Sequence, residues 1–172
     1  MLVSAVLSLT LGGPAPDCGS PELLANLRHW APATAPADAC DIVRASVGAG
    51  RLHRLDPRWL LRLVALESSG RRVHRWYPPR LPRKGLNLDV GASGRADLGW
   101  WQVHTTTAAA FDCDVPGLYA FQAEASAECA ARVLAHALHQ CGHLGAVWVG
   151  CYHSATPWRR DAYAAKFWRL TP

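Results

Sequence analysis

The sequence predicts a mainly α-helical domain with a small β-hairpin or loop region, and three observations predict it. A run of helical periodicity lies between Asp56-Pro57 and Gly70, and an alanine-rich run of the same periodicity extends from Leu118 to Gln140. Between them, from Arg71 to Trp101, the period is lost and Pro and Gly accumulate. Apolar residues recurring every three or four positions mark one face of a helix, whereas Pro and Gly punctuate the chain into turns and loops.

At 172 residues, half of them apolar, the chain has the size of one domain, or of one domain and a short leader. That is enough apolar surface for a core of its own. The net charge of +5 comes almost wholly from arginine, since Lys84 and Lys166 are the lysines. A basic excess of this size attracts anionic partners of any kind, including nucleic acid, phospholipid and acidic wall polymer, and does not choose among them.

Residues 1–16, MLVSAVLSLTLGGPAP, have the length and apolarity of a secretory leader and are too short for a permanent membrane span. They read as a signal peptide cleaved near Ala15, against a competing reading as a hydrophobic element of the fold; the run carries no Lys or Arg. Six cysteines follow, Cys18, Cys40, Cys113, Cys129, Cys141 and Cys151. An even number after a leader points to disulfides in an oxidising compartment, and no CxxC pair suggests zinc. Spacing alone does not choose among the pairings.

Residues 17–39 form an N-terminal extension, with a short helix from Glu22 to Trp30 and an irregular linker through Pro32 and Pro36. Cys40 to Ala49 has helical spacing and runs into Gly48 and Gly50. Asp56-Pro57 starts the next helix, because Asp accepts hydrogen bonds from first-turn amides and Pro fits the first helical position; Gly70 stops it. On that helix Arg58 and Arg62 fall on a wet face, while Leu60, Leu63, Val64 and Glu67 share an apolar stripe. A small hairpin is expected around Asn87 to Gln102, in a stretch of the kind that carries binding surfaces. Thr105 to Phe111 reads as a short helix, and Leu118 to Gln140 as a long amphipathic one closed by Gly142. Gly145 to His153 is apolar and expected to be buried, and Pro157 to Leu170 is a last helix with Trp158, Ala162, Ala165 and Trp168 along one face.

Four features could carry chemistry. Glu67 lies in the last turn of its helix, facing the negative end of the helix dipole and sharing the apolar stripe. Both circumstances disfavour the ionised carboxylate, so it should keep its proton toward neutrality, as a general acid must. The competing reading is a glutamate that bends out to solvent at a fraying helix end. Asp97-Leu98-Gly99-Trp100-Trp101-Gln102 offers an aromatic platform and an amide for a sugar, or ordinary aromatic packing. Tyr152 and His153 interrupt an apolar run, where the phenol could stand beside Glu67 or both could be satisfied core groups. His136, His139 and His143 share a helix face and could bind metal, but Glu128 and Arg132 continue the same face and a solvated polar stripe is the reading adopted.

Taken in order, ALESSG, DLGWWQVH, a long alanine-rich helix and VGCYHSATPW resemble the goose-type-lysozyme-like domain of SLT-family lytic transglycosylases, in particular the small members that accompany secretion and conjugation machinery. The resemblance covers residues 40–172 and implies a lysozyme-like helical domain with its hairpin beside the active-site cleft. It implies Glu67 as the sole catalytic carboxylate, with Ser68, Trp101, Gln102 and Tyr152 binding substrate. Trp100 and Trp101 replace Leu and Met of the family pattern, and His153 stands where Asn is frequent. A chain with four glutamates, Glu22, Glu67, Glu124 and Glu128, and no evident second acid suits a reaction in which the substrate's own groups do the second carboxylate's work; two-carboxylate glycosidases need that partner. Asp97 is read as structural, and an inverting hydrolase is the alternative if it faces Glu67 across a water.

The implied reaction cleaves the β-1,4 bond between N-acetylmuramic acid and N-acetylglucosamine and leaves 1,6-anhydro ends, without cofactor or metal. The resemblance further implies a periplasmic or secreted monomer that acts on peptidoglycan strands for an envelope-spanning secretion or conjugation complex. Nucleic acid and stable membrane insertion after loss of the leader are not expected. It also suggests a Cys40–Cys129 disulfide. The rival readings are a lysozyme-type hydrolase, a catalytically silent wall-binding or secretion-associated protein, and a histidine-rich metal-binding protein.

Overall fold

The computed structural model describes residues 18–73, 75–76 and 96–172. The leader and the Asn87 to Arg95 part of the expected hairpin lie outside the described residues. The protein is mainly α-helical with a small antiparallel sheet.

Helix α1 (Pro21–Trp30) begins at Ser20, whose hydroxyl accepts from the Leu23 amide, with Pro21 in the first turn. Helix α2 (Pro36–His53) starts earlier than its spacing suggested, because Pro36 occupies a first-turn position rather than a linker. A boundary at residue 40 would therefore cut a helix. The preceding segment is also part of the body of the domain, since Leu27, Trp30 and Ala31 are buried in the common core and α1 packs on α2 and α3.

Helix α3 (Pro57–Glu67) follows its sequence signals. Asp56 caps it, accepting from the Arg58 amide at 2.9 Å. Leu60, Leu61, Leu63 and Val64 are fully buried, and α1, α2, α6 and α7 pack around the helix. Arg62 is not on a wet face. Its guanidinium carbon lies 5.4 Å from the ring centroids of Trp30, Phe167 and Trp168, and burial holds its pKa below the ordinary arginine value. The aromatic faces offer it cation–π attraction in place of water.

Strands β1 (Arg75–Trp76), β2 (Ala96–Leu98) and β3 (Val103–His104) form an antiparallel sheet in the order β1-β2-β3. Helix α4 (Thr105–Ala110) follows directly. The long helix expected from Leu118 is two helices, α5 (Val115–Tyr119) and α6 (Ala123–Cys141), separated where Phe121 takes a left-handed φ of 54°. A left-handed residue ends a helix, and no Gly marks the break in sequence. Helix α6 packs against α2 and against a 3-10 segment, Gly142–Tyr152, kinked at Gly145. Within that segment Trp148, Val149 and Gly150 are buried while Gly142, His143, Gly145 and Ala146 are exposed, so the run is only partly buried. Gly150 is required there, because a Cβ would collide with the Arg160 carbonyl of α7 (Pro157–Arg169). On α7 the buried face is Tyr163, Ala164 and Phe167, whereas Ala162 and Ala165 are exposed and Trp158 is 68 % exposed. The face expected from sequence is therefore turned largely to solvent.

Three disulfides join Cys18–Cys40, Cys113–Cys129 and Cys141–Cys151. Cys40 is not bonded to Cys129. Cys18, just ahead of α1, comes within 4.6 Å (Cα–Cα) of Cys40, and Cys113, just ahead of α5, within 5.5 Å of Cys129. Bridging demands such separations, and each cysteine already has its partner. Among the described residues no helix is long and apolar enough to cross a membrane.

Candidate active site

The last turn of α3 carries Glu67 to the floor of a cleft of about 350 Å³. The Glu67 side chain is 13 % exposed. One wall is the sheet. Arg75 is opposite Asp97, and Asp97 is opposite His104, so the three side chains form a row on one face, and all three line the cleft. Gln102 and Val103 complete that wall. The other sides come from Thr107, Val133, Tyr152 and His153.

Burial pushes the Glu67 carboxyl from its ordinary 4.5 up to about 7. The neighbouring Asp97 charge also raises it, while the Tyr163 hydroxyl and Arg75 act in the opposite direction. Tyr163 Oη donates to Glu67 Oε1 at 2.6 Å. With Oε1 engaged as an acceptor, a proton on the acid belongs on Oε2, so the hydrogen bond also fixes which oxygen can deliver it. Tyr163 is a reliable donor, because burial and the nearby carboxylate hold its own pKa well above the ordinary tyrosine value. Arg75 Nη2 donates to the Glu67 main-chain carbonyl at 3.1 Å, tying the sheet to the helix end.

Tyr163→Phe is expected to move the Glu67 titration above about 7, since the lost hydrogen bond favoured the ionised form. The measurement is the pH dependence of the Glu67 carboxyl signal in carbon NMR, and a titration that moved down would refute the assigned donor.

Gln102 sits in the turn between β2 and β3 with a left-handed φ of 49°. Its Nε2 donates to the carbonyls of Gly99 at 2.6 Å and Val73 at 2.8 Å. Both amide hydrogens are thus committed, and the buried Oε1 has no hydrogen-bond partner among the described residues. A strained backbone carrying an unpaired buried acceptor at a cleft wall is the kind of feature that function sustains.

Of the site residues expected from sequence, the structure brings Glu67, Gln102 and Tyr152 to one cleft. Tyr152 does not reach Glu67 with its hydroxyl, which donates to the Trp101 carbonyl at 3.0 Å. Trp101 is fully buried, its indole N–H donating to the Leu60 carbonyl at 2.9 Å, and Trp100 is 1 % exposed. The tryptophan pair is core, not platform. Ser68 is also buried. Its hydroxyl donates to the Val64 carbonyl and accepts from the Gly70 amide, which closes the end of α3 without lining the cleft. His136, His139 and His143 are exposed on or just beyond α6, and among the described residues no group of three or more His, Cys, Asp or Glu is placed to hold a metal.

Sequence reasoning missed Tyr163. The signal was its four-residue spacing from Phe167, which marks a second apolar face on α7. Arg75 and His104 gave no pattern, because cross-strand register places them, and Thr107 reaches the cleft from α4. No family model matches the chain, and neither a curated protein nor a solved structure matches it.

Proposed function

We propose that the protein is a peptidoglycan lytic transglycosylase of the SLT type, with Glu67 as its single acid and base. One observation carries this reading: a buried carboxyl with a pKa near 7, held on one oxygen by Tyr163 at the floor of an open cleft. A group whose pKa lies near the working pH can both give and take a proton in one turnover.

In the reaction, Glu67 Oε2 gives its proton to the oxygen of the β-1,4 bond between N-acetylmuramic acid and N-acetylglucosamine, and the carbon–oxygen bond breaks. The sugar's 2-acetamido oxygen supports the positive anomeric carbon. Glu67, now a carboxylate, takes the proton from the 6-hydroxyl of the same sugar, whose oxygen closes the 1,6-anhydro ring. The acid is restored and no water is consumed. Three disulfides and a basic chain suit work outside the cytoplasm on an acidic wall polymer, and opening the wall for an envelope-spanning secretion or conjugation complex is the proposed setting.

A second reading has a specific observation behind it. Asp97 lines the same cleft and its charge acts on Glu67, so it could activate a water in a lysozyme-type hydrolysis. Mass spectrometry of digested peptidoglycan separates the two. Anhydro ends lighter by one water are expected, and reducing ends would replace the transglycosylase by the hydrolase.

A further inference from the structure

His153 has no part in the chemistry above, yet it occupies a place where charge matters. Its ring stacks on Tyr163, with centroids 4.7 Å apart and planes 9° from parallel, and its Nδ1 lies 3.9 Å from Glu67 Oε1. The side chain is half-exposed on the cleft wall, so it can exchange protons with solvent. The Cys141–Cys151 bridge anchors the segment that carries it.

We propose that His153 is a charge gate on Glu67 chemistry, permitting cleavage as a neutral imidazole and opposing it as an imidazolium. The proposal rests on the reaction described above, in which positive charge develops at the anomeric carbon as the bond to the leaving sugar breaks. That carbon must come within a few ångströms of the Glu67 carboxyl, and therefore close to His153. An imidazolium there repels the developing charge in a partly desolvated cleft, where interactions are strong. It also favours the ionised form of Glu67, drawing the acid away from the state that donates.

The surroundings keep the imidazole neutral. Burial lowers its pKa from the ordinary 6.5, and Arg159 and Lys166 of α7 lower it further, while Asp97 of β2 acts in the opposite sense. Glu67 of α3 and Tyr163 of α7 are the groups in direct reach. Near neutrality the site then holds its proton on the carboxyl and not on the ring. As the pH falls below the histidine titration, the ring charges and the gate closes.

The test is the pH profile of kcat/KM on isolated glycan strands for the parent, His153→Gln and His153→Lys. The parent is expected to give a bell, with an alkaline limb at about 7 from Glu67 and an acid limb below about 6.5 from His153. His153→Gln should lose the acid limb and keep the alkaline one. His153→Lys, with a fixed charge, should be at least about tenfold slower than His153→Gln throughout, and should differ from the parent only above the histidine titration. An acid limb unchanged in His153→Gln, with the parent active, overturns the gate alone; a parent that cleaves no glycan at any pH overturns the functional reading and the gate together. Imidazole NMR adds a readout independent of turnover. The His153 signal should show a second inflection where Glu67 titrates, absent in Glu67→Gln, and a single identical step in both proteins would overturn the coupling.

Discussion

Glu67→Gln is expected to lower the rate of wall cleavage by about 10³-fold or more, within the range that a positioned acid–base group supplies. Gln has nearly the shape of protonated Glu and can still accept from Tyr163 Oη, so the floor of the cleft and its hydrogen bond should persist. It has no proton to give to the glycosidic oxygen. Release of anhydro-muropeptides from purified peptidoglycan, with circular dichroism to verify the fold, measures both halves of the expectation. A variant that lyses walls as fast as the parent would remove Glu67 from the chemistry and overturn the single-acid reading.

The same substitution should stabilise the protein at neutral and alkaline pH. The Glu67 carboxyl titrates at about 7 in the folded protein against an ordinary 4.5, so the folded chain holds a proton that the unfolded chain has lost throughout that interval. Below 4.5 both states are protonated and Glu67 costs nothing. As the pH rises from there to about 7 stability falls, at about 1.4 kcal/mol per pH unit, and the loss levels off on the order of 3 kcal/mol. Urea unfolding of the parent and of Glu67→Gln across this range reads the effect directly. The two curves should coincide in acid and separate toward alkaline pH, with Glu67→Gln the more stable. Parallel curves would mean that Glu67 is not desolvated in the folded state. The two expectations have one cause, since the burial that makes the carboxyl a usable acid also makes its ionisation a burden on the fold.

Much of the frame was legible in the chain. Asp56-Pro57 and Gly70 bounded α3, and the period of Leu60, Leu63, Val64 and Glu67 put the carboxyl on the buried side. The loss of period beyond Arg71 marked the region of the sheet. Tyr152 and Gln102 both line the cleft, though Tyr152 turns its hydroxyl to the Trp101 carbonyl. Less legible were the elements for which two arrangements fit one pattern equally well. Helix α7 offers two faces at helical spacing, and the aromatic face with Trp158 lost to the one with Tyr163 and Phe167. The tryptophan pair suited a sugar platform or a core, and the indole N–H of Trp101 reaching the Leu60 carbonyl shows why the core took it. The left-handed Phe121 divided α5 from α6 without a glycine to announce it.

The sequence by itself determined where α1, α3 and α7 start and stop, that a core could form, and that one glutamate would sit at an apolar helix end. Those properties follow from caps, proline geometry and a 3.6-residue period, all of which act between neighbours in the chain. Only the tertiary structure decided that Glu67 meets Tyr163, that His153 stacks on that tyrosine, that Arg75, Asp97 and His104 line one wall, and that Cys18 bonds to Cys40. These are contacts between segments far apart in the chain or on separate strands, selected by which of several compatible faces buries the most apolar surface. The pKa that makes Glu67 an acid belongs to the second kind, because desolvation depends on everything packed around the carboxyl and not on the residues beside it in the chain.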